Sequence, residues 1–156
     1  MGIIFPKKTS WVSKAFLTLF LLIFSPIWMI GVLLYFLWGA TLYLAVWLTQ
    51  KKQFVVFVYS NSPIWKNYIE AEILPLIRGH AIILNWSERR DWRNTVAVFA
   101  FRYFGGYRNF NPLGIVVPRF RRAKTYRFFE AFKEFKHGNP EKVEEVKQEF
   151  FKKLKS

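Results

Sequence analysis

The chain has 156 residues, 53% of them hydrophobic, with 24 basic against 10 acidic side chains and a net charge of +14. It has no cysteine, which excludes disulfide stapling, thiolate catalysis and cysteine metal sites. A balance so strongly basic points to anionic partners: lipid headgroups, acidic proteins or nucleic acid.

Residues 15–48 form one uncharged apolar run, AFLTLFLLIFSPIWMIGVLLYFLWGATLYLAVWL, 34 residues long. A spanning helix needs about 20 such residues, so the run predicts a membrane segment. Its apolar core is far longer than the h-region of a cleaved signal peptide, about 7–15 residues. Pro26 removes a helical hydrogen bond and pushes Ser25 out of helical geometry. The expectation is therefore a Pro-broken anchor, with a first helix over residues 11–25 and a second over 27–49. Lys7, Lys8 and Lys14 precede the run, and Lys51 and Lys52 follow it. Basic flanks mark the cytoplasmic side. Matching flanks predict both ends on that face, as in a hairpin or re-entrant wedge, with a single tilted span as the alternative. Trp11 and Trp47 stand where interfacial aromatic anchors do. The stretch LFLLIFSPI resembles the Ser-Pro-broken re-entrant helix of the monotopic phosphoglycosyl transferases. That family's adjacent Asp-Glu catalytic pair is missing from this chain. The resemblance therefore implies anchor geometry and no chemistry.

Residues 1–52 thus read as an anchor with basic flanks, and 53–156 as one small α/β domain with a core of its own. Residues 54–59, FVVFVY, predict a strand covered on both faces. Ser62 suits a helix N-cap and Pro63 the first helical position, so a helix runs to about Ile77. Pro75 should kink its last turn and Gly79 close it. Residues 81–84 predict a second buried strand, ending at Asn85-Trp86-Ser87. Residues 95–104, TVAVFAFRYF, have the composition of a strand, although a helix stays open. Residues 113–117, LGIVV, predict a short strand between Pro112 and Pro118. From about Thr125 the period becomes helical, with Phe128, Phe129, Phe132 and Phe135 in one stripe ending near Gly138. Asn139 caps a last helix with Pro140 at its first position. On it Val143, Val146, Phe150 and Leu154 face one way, and Lys152, Lys153 and Lys155 suit its C-terminal dipole.

The order strand, helix, strand, strand, strand, helix, helix describes an α/β sandwich-type domain, thioredoxin-like or Rossmann-like. FVVFVYSNSPIW resembles the first core strand of the thioredoxin-like family running into its redox loop and helix. Ser62-Pro63-Ile64-Trp65 falls where the Cys-x-x-Cys motif would lie. YFGGYRNFNPLGIVV resembles the stretch leading to the family's cis-proline, with Pro112 in that place. The resemblance covers residues 54–117 and implies a thioredoxin-like fold. Without cysteines the redox chemistry does not carry over. The Phe-rich helix expected from Thr125 occupies the place of that fold's last strand.

In open α/β sheets, ligands bind beyond the carboxyl ends of parallel strands. Ser60, Asn61 and Ser62 end the first strand; Asn85 and Ser87 end the second, followed by Arg89 and Arg90. Hydroxyls, amides and guanidinium groups there, with a helix N-terminus behind, make a candidate anion site. The same residue types also cap helices and make turns. All ten arginines lie between Arg78 and Arg127, interleaved with Trp86, Trp92, Tyr103, Tyr107, Phe110 and Phe120. Arginine binds carboxylate and phosphate through a planar fork. Arg119, Arg121, Arg122 and Lys124 form the densest group, a candidate surface for anionic lipid or an acidic protein partner, or a merely solvated basic face. No nucleic-acid-binding fold is recognisable, which disfavours that partner. His80 and His137 stand at helix ends, far apart, and do not suggest catalysis or metal binding. The absence of a P-loop, G-x-G-x-x-G or G-x-S-x-G implies no cofactor and no assigned catalytic residue. The functional expectation is a non-catalytic, membrane-anchored accessory protein with a basic face. The alternative is a membrane-bound enzyme or ligand binder for a phosphate-bearing substrate at the strand ends.

Overall fold

The apolar run folds as one uninterrupted helix in the computed structural model, which describes residues 11–49, 53–106, 110–119 and 121–155. Lys7, Lys8, Lys51, Lys52, Tyr107 and Phe120, on which the flanking-charge and arginine–aromatic readings partly rest, lie outside these residues. The helix, α1, covers Trp11–Thr49, 39 residues with Pro26 inside it. The break expected at Ser25-Pro26 is absent, and with it the hairpin and the re-entrant wedge. The physical reason is local. Pro26 forfeits one backbone hydrogen bond, at a cost of about 3 kcal/mol in a helix interior. A break would strand several N–H and C=O groups on both sides of it, and proline is tolerated inside apolar helices for that reason. The segment Ser13–Leu48 is long and apolar enough to cross a membrane, and its most apolar 18-residue stretch is exposed throughout.

The chain divides into two compact units, residues 1–40 and residues 41–156. The described residues of the first, 11–40, are apolar helix. The second begins with the last turns of that helix and continues as a mixed α/β domain. Its four strands are β1 (Gln53–Tyr59), β2 (Ile82–Asn85), β3 (Leu113–Pro118) and β4 (Lys124–Arg127), in the sheet order β2-β1-β3-β4. β1 and β2 are parallel, with Tyr59 opposite Asn85. β3 runs antiparallel to β1, pairing Leu113 with Val58 and Pro118 with Gln53. β4 runs antiparallel to β3.

Side chains alternate across a strand, and β1 uses both faces. Val55, Phe57 and Tyr59 enter one core, with Ile69, Ile73, Phe128, Phe132 and Phe150. Phe54, Val56 and Val58 enter the other, with Ala97, Ala100, Phe101 and Val46 of α1. This two-sided burial explains why FVVFVY is apolar throughout. Strand β2 lies at the sheet edge, and Ile82 is exposed there, so it is not the fully buried strand expected.

Between β1 and β2 the helical stretch is made of α2 (Lys66–Tyr68), a wide π turn (Ile69–Ile73) and α3 (Leu74–Ile77). Leu74 N donates to Ile69 O, an i→i−5 bond that widens the turn just before Pro75. A proline ring clashes with the carbonyl four residues back, and the wider turn accommodates it. Gly79 follows with φ +86°, the left-handed closure that glycine supplies. Residues 95–104 are a helix, not a strand: α4 covers Val96–Phe104, and Thr95 Oγ1 accepts from Val98 N at 3.4 Å as its N-cap. Composition misled here because Val, Ala and Phe fill a helical face, Ala97, Val98, Ala100 and Phe101, as readily as a strand. The Phe stripe begins at Phe128, in α5 (Phe128–Lys136), and residues 124–127 before it are β4. The last helix, α6 (Glu141–Leu154), has Pro140 at its N-cap, while Asn139 Oδ1 accepts from Glu141 N at 3.3 Å.

Candidate functional site

The two ends of the sheet carry different chemistry. At the carboxyl ends of β1 and β2 the structure brings Asn61, Asn85 and Ser87 into one hydrogen-bond network. Asn61 N donates to Ser87 Oγ at 3.0 Å. The Asn85 amide donates to Asn61 Oδ1 at 3.1 Å and to Glu88 Oε1 at 2.8 Å, and Asn85 Oδ1 accepts from Ser87 N at 3.1 Å. Trp92 Nε1 closes the network onto the Asn85 carbonyl at 3.1 Å. Ser60 Oγ accepts from Trp65 Nε1 at 3.3 Å. Ser62 is not the helix N-cap; Trp65 holds that position. Instead Ser62 shapes the turn, its hydroxyl accepting from Ile64 N at 3.4 Å and its carbonyl from Lys66 N at 2.9 Å. Arg89 lies over the Trp86 ring, 5.0 Å from its centroid, and Arg90 is exposed.

These polar groups satisfy one another. Both amide protons of Asn85 are engaged, and Glu88 places a carboxylate beside them. Glu88 and Trp92 are members that residue-type reasoning missed, because their part depends on the turn Trp86–Glu88 folding back. Nearby, burial raises the Tyr59 phenol above the ordinary tyrosine value, with the Glu70 and Glu88 carboxylates adding to the effect. A phenol held neutral in this way is no base near neutral pH.

The opposite end of the sheet is basic. Here β1 begins, β3 ends and the C-terminus of α6 arrives. Gln53 Nε2 donates to Leu154 O at 2.6 Å, fixing the helix end to the strand start. Beside this bond lies an open concavity of about 520 Å³ lined by Gln53, Arg119, Arg121, Lys153, Leu154 and Lys155, with Pro118 at its edge. Among the described residues its lining holds four cationic side chains and no acidic one. Arg122 is exposed but does not line it. Lys124 faces elsewhere. It pairs with Glu149 at 2.9 Å and lies 4.7 Å from the Tyr126 ring centroid. Its hydrogen bond to Glu149 raises its pKa above the ordinary lysine value. The lysines of α6 entered the sequence reading only as partners of the helix dipole. Nothing in sequence joins positions 119 and 153, because their meeting depends on how α6 packs.

Among the described residues no three His, Cys, Asp or Glu side chains converge in a way that would hold a metal ion. His80 and His137 are both exposed. Comparison with protein-family models, with curated proteins and with solved structures gives no match.

Proposed function

We propose that this chain is a membrane-anchored, non-catalytic interaction protein that turns the basic end of its sheet toward anionic partners. One observation carries the reading. An exposed apolar helix runs without interruption into turns that are themselves core of the α/β domain, Leu42 and Val46 being buried there. The basic end of the sheet starts at Gln53, four residues after that helix. Cations so close in sequence to an apolar span favour an anionic surface, each contributing about 1 kcal/mol near one.

The fold reading belongs to the same proposal: a thioredoxin-like domain without redox chemistry. Supporting it, Pro112 immediately precedes β3 and, by the Val58–Leu113 register, lies at the same sheet end as the loop Ser62–Trp65. Supporting it further, β4 occupies the place of the last strand that the family requires. The loop carries serine and tryptophan where that family has thiols, and the polar network beside it is closed on itself. That arrangement favours a binding module over an enzyme at the strand ends.

Alkaline carbonate extraction of membranes containing the full chain tests the anchor. The protein should stay with the lipid pellet. Release into the supernatant would remove the membrane reading altogether.

A further inference from the structure

We draw no further inference here: the strongest candidate, the groove between α5 and α6 walled by Glu130, Glu134, Glu145 and Glu149 over Ala131 and Val146, is an acidic cluster in which Glu134 and Glu149 already pair with Lys142 and Lys124, and nothing in the structure shows what covers it.

Discussion

At Gly114 the backbone of β3 passes so close to Phe150 that a Cβ would lie 2.7 Å from one ring carbon and 3.0 Å from another. Gly114 pairs with Phe57 on one side and Tyr126 on the other, and both rings lie in the core that Phe150 fills. Relief would require Phe150 to shift against Phe57, Phe128 and Tyr126, whose ring centroids are within 6 Å of its own. Gly114→Ala should therefore destabilise the domain by about 1–3 kcal/mol, the usual range for overpacking a dense core. A thermal melt of the full chain followed by near-ultraviolet circular dichroism checks it, and an unchanged midpoint would show that the ring yields freely. The same contrast separates what was legible at single residues from what was not. Asn61, Asn85 and Ser87 were readable as polar strand-end residues from their types alone. That they spend their donors on each other and on Glu88 was not readable, because partners 24 to 26 positions apart are chosen by the sheet register. Arg119 and Arg121 were readable as a basic pair, whereas Lys153 and Lys155 joined them only through the packing of α6.

Elements buried on both faces announced themselves. FVVFVY was recognisable as a central strand because no position in it tolerates water, and β3 was recognisable on the same ground. Elements whose identity depends on neighbours did not announce themselves. Residues 95–104 have the composition of a strand, and the Thr95 cap together with a free helical face decided otherwise. β4 is four residues long and abuts the Phe stripe, so a helical period running backward from Phe128 concealed it. In α1 the proline carried too much weight, since one lost hydrogen bond does not outweigh the bonds a break would leave unmade. A continuous α1 also changes what the flanking lysines say. Matching charges on both sides suited a hairpin, but on a single span they no longer assign a side. At about 1.5 Å per residue the 36-residue window Ser13–Leu48 measures roughly 54 Å, against a hydrocarbon core of about 30 Å. Under the proposed membrane reading that length suits one crossing. Cysteines introduced as Ser10→Cys and Gln53→Cys should then label from opposite faces of sealed vesicles with a membrane-impermeant maleimide. Labelling of both from the same face would exclude a single span.

For the whole molecule, the decisive feature is that the second compact unit takes in residues 41–49, the last turns of α1. The turns from Thr41 onward belong to the domain. Leu42 and Val46 are 4% and 2% exposed, and Val46 lies in one core with Val56, Ala100 and Phe101. Tyr43 OH accepts from Ala123 N at 2.9 Å, and its ring meets Phe104 with centroids 5.1 Å apart. A fragment starting at residue 53 loses all of this. Burying a Leu or Val side chain contributes about 1.5–3 kcal/mol, so the two together account for roughly 3–6 kcal/mol. That is a large part of the about 5–15 kcal/mol by which an ordinary domain is stable. The loss also uncovers the apolar bed on the α4 face of the sheet. Fragments 41–156 and 53–156 compared in urea, with tryptophan fluorescence as the probe, should separate clearly. To keep the longer one soluble, the exposed Leu44 and Leu48 are replaced by Gln, positions that contribute nothing to the core. The longer fragment should unfold cooperatively. The shorter should unfold at a much lower midpoint, or without a cooperative transition, and bind a hydrophobic dye before urea is added. Coincident curves would mean that α1 rests on a domain already complete without it, and the boundary would then belong after Lys52, where the change in composition puts it.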